Sequence, residues 1–174
     1  DEVVRFADPH TIVLAWIDES EKDLHPLNQL TYARMQENLK ILEASTDQDG
    51  KPFRIIKVPL PSLIEQPAVV VEKSSPMEFW KLTPKAFLPS ERPAVGDTLI
   101  RIAASSYLNF LVSNGVVINA SYTQHGTPTE REEKVKEIFS EAFPDRKQVW
   151  INALPLNWNG GGIHCSTQQE PKKR

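Results

Sequence analysis

The spacing of apolar positions changes several times along the chain, and the changes predict alternating strands and helices. Thr11-Ile-Val-Leu-Ala-Trp-Ile17 is an unbroken run of β-branched, aliphatic and aromatic residues, the length of a strand buried on both faces. From Asn28 to Ala44 the period lengthens, and Leu30, Ala33, Leu39, Ile41 and Leu42 predict the apolar stripe of a helix. Asp47-Gln-Asp-Gly50 supplies turn chemistry, and Arg54-Ile-Ile-Lys-Val-Pro-Leu60 predicts a returning strand.

The same order then recurs. Val116-Val-Ile-Asn-Ala-Ser-Tyr122 predicts a strand. Thr127 or Thr129 can cap a helix whose first turn suits Pro128 and Glu130, with Val135, Ile138, Phe139 and Ala142 as its apolar face. Gln148-Val-Trp-Ile-Asn-Ala-Leu-Pro-Leu156 returns as a strand. Equivalent points lie roughly 95 to 105 residues apart, far longer than a short solenoid repeat. The expectation is one α/β domain over 1–174, with repeat units at about 1–61 and 97–156 and a last partial unit over 157–174. Between the copies, Pro59 to Gly96 is rich in proline. Ala68-Val-Val-Val-Glu72 and Phe79-Trp80-Lys81-Leu82 would be costly to leave in water, so an ordered excursion packed on the body is predicted.

Composition narrows the functional classes. The 174 residues are 40% apolar and 25% charged, as in an ordinary globular chain. The formal net charge of −3 offers no basic excess for a nucleic-acid backbone. No apolar run approaches the roughly 20 residues that cross a bilayer, so no membrane partner is expected. Asp1-Glu2-Val3-Val4-Arg5 lacks the order of a signal peptide, and the absence of an initial Met leads to the expectation of a fragment or processed chain. A single cysteine, Cys165, excludes an intramolecular disulfide and a Cys-rich zinc site and fits a reducing, cytoplasmic setting. His10, His25, His125 and His164 lack metal-ligand spacing, and no glycine run is followed by the Lys-Ser/Thr of a phosphate loop. Neither a metal nor a nucleotide cofactor is therefore expected.

The candidate chemistry sits in Asn157-Trp-Asn-Gly-Gly-Gly-Ile-His-Cys-Ser-Thr-Gln-Gln-Glu-Pro171. Three consecutive glycines leave the main chain open to close approach, and Cys165 follows them by three residues. A thiolate there would be a strong nucleophile if a neighbouring cation or base favours it. A lone cysteine is equally readable as a small buried hydrophobe. If this segment is a strand, His164 and Cys165 point to opposite faces, and His164 is not the base for the sulfur.

Gly-Gly-Gly-Ile-His-Cys-Ser-Thr-Gln-Gln-Glu-Pro closely resembles the nucleophile segment of agmatine deiminases and the related bacterial peptidylarginine deiminase-like family. Asp1-Glu-Val-Val-Arg-Phe-Ala-Asp8 resembles the segment just after that family's catalytic histidine, and Ser106-Tyr-Leu-Asn-Phe110 with Asn114-Gly115 resembles a third shared segment. Family members commonly read Gly-Gly-Gly-Asn before Ile-His-Cys, whereas Asn159-Gly160-Gly161-Gly162 stands here. The resemblance implies a pseudo-fivefold α/β propeller of the pentein type, of which this chain covers about the C-terminal half, with Asp1, Asn109 and Cys165 each opening a strand of successive units. It implies Cys165 as catalytic nucleophile and Asp1, Asn109, Gly161 and Gly162 as substrate-binding positions. It places the catalytic histidine two residues before Asp1, and two further acids upstream. Agmatine is the implied substrate, converted to N-carbamoylputrescine and ammonia, and a homodimer is a further expectation. Peptidylarginine or free-arginine deimination, amidino transfer, and a non-enzymatic interaction domain are the alternatives.

Overall fold

Residues 2–75 and 81–171 are described by the structure, a computed structural model. Its first sheet is built from β1 (Val4–Asp8), β2 (Thr11–Trp16) and β3 (Arg54–Pro59). β1 runs antiparallel to β2, and β2 pairs in parallel with β3, so that Ile12 faces Ile55 and Ala15 faces Val58. A parallel pair needs a crossover. Here the 3-10 turn Glu19–Leu24 and helix α1 (Pro26–Glu43) provide it. β2 lies at the centre, and Ile12, Val13, Leu14 and Ala15 are all buried, as its unbroken apolar run predicts.

The second sheet repeats this arrangement. β6 (Leu111–Ser113) is antiparallel to β7 (Val116–Ser121), which is parallel to β8 (Lys147–Asn152) across helix α2 (Thr129–Ala142). Both copies therefore read strand, strand, helix, strand, one more leading strand than the sequence period reveals. Between them, β4 (Glu65–Val69) and β5 (Thr98–Ile102) form an antiparallel hairpin that closes the proline-rich excursion. Val70 is buried at its base, so this part is packed on the body. Phe79 and Trp80 lie outside the described residues.

Packing departs from the sequence pattern in three places. On α1 the inward stripe runs through Met35, Leu39 and Leu42, while Leu30 and Ile41 are 46% and 58% exposed. On α2 the expected face of Val135, Ile138, Phe139 and Ala142 does meet the core, where Phe110, Phe139 and Phe143 pack ring against ring. The helix has no side-chain cap; Thr127 Oγ1 instead accepts a bond from Ser62 N, 3.1 Å away. Finally, the last strand stops at Asn152. Asn152 Oδ1 accepts from Leu154 N at 3.1 Å, and Pro155 suits the first turn of a short helix α3 (Leu154–Asn157), so the chain turns where a strand to Leu156 is predicted.

The two units are clamped to each other by charge. Arg131 on α2 pairs with Glu21 before α1 and donates to Leu60 O at 3.1 Å, and Arg54 pairs with Glu141. Among the described residues no helix is long and apolar enough to cross a membrane.

Candidate active site

Three segments far apart in sequence converge at the chain's only cysteine. The 3-10 turn His164–Ser166 carries Cys165, which is solvent-exposed. The exposure removes the alternative of a buried packing group. It is the strand expectation that is overturned: the segment is a turn, so alternation cannot assign His164 to an opposite face. What fixes this turn is Asn109, two residues ahead of β6 and 2% exposed. Its Oδ1 accepts from His164 N at 2.7 Å and Cys165 N at 3.3 Å, and its Nδ2 lies 3.1 Å from Cys165 Sγ.

The glycines permit this fit. A Cβ on Gly162 would stand 2.5 Å from Asn109 Cγ, a contact that no side chain could make without moving buried atoms. A Cβ on Gly161 would stand 3.1 Å from Cys165 Cβ, and Gly161 O accepts from Asn157 Nδ2 at 2.9 Å. Gly160 has a φ of 80° and ends the turn that follows α3. Of the three, Gly162 is the one needed for close approach inside the chain itself.

Two further residues, Glu2 and Arg5, belong to this cluster, and sequence reasoning named neither as a site residue. Glu2 Oε1 accepts from Asn109 Nδ2, and Ser106 Oγ donates to Glu2 O at 2.8 Å. Glu2 Oε2 is buried with no hydrogen-bond partner among the described residues. Burial therefore pushes the Glu2 carboxyl up from its ordinary range, against the hydrogen bond from Asn109. Arg5 Nη1 donates to Leu108 O at 3.2 Å and Phe110 O at 3.0 Å, the carbonyls flanking Asn109, and its guanidinium stacks 4.4 Å from the Phe110 ring centre. Partial burial lowers the Arg5 pKa, opposed by the charges of Cys165 and Glu2. His164 is held below its usual value by burial first and by Arg5 second. Asp1 lies outside the described residues.

Behind the turn runs a second line of contacts. Glu132, buried on α2, accepts from Ser121 Oγ at 2.6 Å, Tyr122 N at 2.7 Å and Tyr107 Oη at 3.2 Å. The Tyr122 hydroxyl then meets Asn157 Oδ1 at 3.1 Å, and Asn157 holds Gly161. Burial drives the pKa of both tyrosines up, so they remain neutral donors. Elsewhere, His10 Nδ1 pairs with Asp47 at 2.6 Å, and these two lie with Asp49 within 4.8 Å of one another. Sequence spacing could not reveal that grouping. Asp47 also accepts from Asp49 N and Lys51 N, which accounts for it as a turn closed by an ion pair. A cavity of about 510 Å³ between the two units is lined by Glu2, Ser106, Ile17, Met35, Leu60 and Arg131 among others, but not by Cys165.

The exposed sulfur, hydrogen-bonded to a buried amide beside a glycine run, lies in the segment that carries the deiminase resemblance. The model of the Porphyromonas-type peptidyl-arginine deiminases matches residues 1–171. The chain belongs to that family. Within it, a relative from Selenomonas ruminantium is 30% identical over 171 residues, which cover 98% of this chain and 39% of the relative. An agmatine deiminase of Stutzerimonas stutzeri is 28% identical over 98% of this chain and 39% of its own length. Among solved structures, the agmatine deiminase of Enterococcus faecalis, described as catalysing its reaction, superimposes with a TM-score of 0.65 at 28% identity, covering 98% of this chain and 40% of that one. The chain thus spans about two fifths of the length of these family members, and it aligns with their C-terminal part.

Proposed function

We propose that this chain carries the nucleophile of an agmatine deiminase, and that its two sheet units are neighbouring blades of a pseudo-fivefold α/β propeller. The observation that carries the reading is the exposed Cys165 sulfur, presented on a turn fixed by Asn109. Family membership supports deimination as the reaction class. The agmatine deiminases among the relatives support the substrate.

In the proposed reaction the Cys165 thiolate attacks the guanidinium carbon of agmatine and forms a C–S bond. The tetrahedral adduct expels ammonia, whose added proton comes from the histidine that the resemblance places upstream of Asp1. The amidino-thioether left on Cys165 is then attacked by water, whose proton passes to the same histidine; collapse of the adduct breaks the C–S bond, restores the thiolate and releases N-carbamoylputrescine. A planar cation is held best by carboxylates that match its fork of N–H donors; Asp1 fills that role here. Of the two glycines expected to bind substrate, Gly162 is closed by Asn109, whereas Gly161 leaves the main chain beside the sulfur bare, so it is there that a flat group can approach. Arg5, the cation of this cluster, has Nη1 committed to two carbonyls rather than open to a carboxylate. This favours agmatine, which lacks the α-carboxylate of free arginine.

The test is ammonia release from agmatine by the full-length natural protein that carries this chain. Cys165→Ser is expected to lower kcat by about 10⁴-fold or more, the scale of losing a covalent nucleophile. Turnover at the unaltered rate in that variant would refute the reading.

A further inference from the structure

The Asn109 amide has one self-consistent orientation. Its Oδ1 faces two main-chain donors, His164 N and Cys165 N. Flipping the amide would set its NH2 group against both of them. The nitrogen must therefore be the atom that meets Glu2 Oε1 and Cys165 Sγ, and its two hydrogens have two acceptors. All four hydrogen-bonding positions of the side chain are then taken by the protein, which leaves none for a substrate. The residue is also held from both sides along the chain, by Arg5 on the carbonyls of Leu108 and Phe110 and by Gly162 pressed against its Cγ. A sulfur that accepts an amide N–H is served better as an anion than as a thiol, because a charged acceptor strengthens the bond.

We infer that Asn109 is a positioning residue that holds the Cys165 sulfur as a thiolate through its side-chain N–H, with Glu2 fixing the amide's orientation from the far side. For its part in catalysis this rests on the deiminase reading; for the state of the sulfur it does not.

The test compares four forms of the full-length natural protein: unaltered, Asn109→Asp, Asn109→Asp with Glu2→Gln, and Cys165→Ser as the blank. Asn109→Asp is nearly isosteric and keeps Oδ1 for both main-chain donors while removing the donor to sulfur. Adding Glu2→Gln restores a hydrogen bond between positions 2 and 109, with the donor reversed, and still gives the sulfur no N–H from position 109. Both variants are expected to show less thiolate ultraviolet absorbance at neutral pH. Alkylation of Cys165 by iodoacetamide, followed on its peptide by mass spectrometry, should slow by about tenfold or more, the scale of a lost charge-assisted bond. Alkylation at the unaltered rate in Asn109→Asp would overturn the inference. Recovery in the double variant would overturn it too, since loop geometry alone would then suffice. Unfolding of both variants would assign the amide to the fold instead of the sulfur. Absence of agmatine hydrolysis in the unaltered protein would count against the deiminase reading, whereas alkylation needs no substrate and judges Asn109 alone.

Discussion

Glu2 shows how one side chain can link burial to pH. Its ordinary carboxyl pKa of 4.5 is raised, first by desolvation, while one of its oxygens lacks a partner. A carboxyl that holds its proton more tightly when folded makes the folded state the better proton binder between the two pKa values. Stability is then greatest below about 4.5 for this group, falls as pH rises through the elevated folded value, and levels off above it. Glu2→Gln should remove that slope, as read from unfolding midpoints across acidic pH; an unchanged slope would mean that Glu2 is not its source. At this scale the sequence was partly legible. Cys165 and Asn109 stand in segments that resemble family motifs, and both do meet in space. Glu2 and Arg5 stand in an equally recognisable segment, yet their roles depend on contacts more than 100 residues away. No local period encodes such contacts.

Helix α2 is placed by a buried charge as well as by its apolar face. Glu132 takes three donors from β7, Tyr122 and Tyr107, and the line continues through Asn157 to Gly161 beside the nucleophile. Glu132→Ala would strand the buried Tyr122 N–H and Tyr107 hydroxyl, so a loss of about 3 kcal/mol in stability is expected. Denaturant unfolding measures it, and a change below about 1 kcal/mol would remove Glu132 from this role. Elements with one dominant apolar period were legible in sequence, including β2, β3, β7 and α2. The face of α1 was not, because its apolar residues are spread around the helix and only tertiary packing selects Met35, Leu39 and Leu42. β1 and β6 have no period of their own to read, because as outer strands they are only partly buried and carry no unbroken apolar run; the family resemblance, rather than the residue pattern, points to strands opening near Asp1 and Asn109. The turn at His164–Ser166 was missed because its geometry comes from Asn109 rather than from its own sequence.

At the scale of the molecule, two strand–strand–helix–strand units are joined through α2 against β3 and by Arg131–Glu21 and Arg54–Glu141, and the start of one and the loop before β6 of the other meet the C-terminal glycine run. This convergence, more than any single element, turns a lone cysteine into a candidate nucleophile. The full-length natural protein carrying this chain should therefore bond transiently to its substrate through that sulfur. Rapid acid quenching during agmatine turnover, followed by peptide mass spectrometry, tests this directly. The account predicts that the peptide bearing Cys165 gains the mass of agmatine less ammonia, and that the adduct decays as N-carbamoylputrescine appears. Turnover with this peptide unmodified at every time, or with the adduct on another residue, would contradict it.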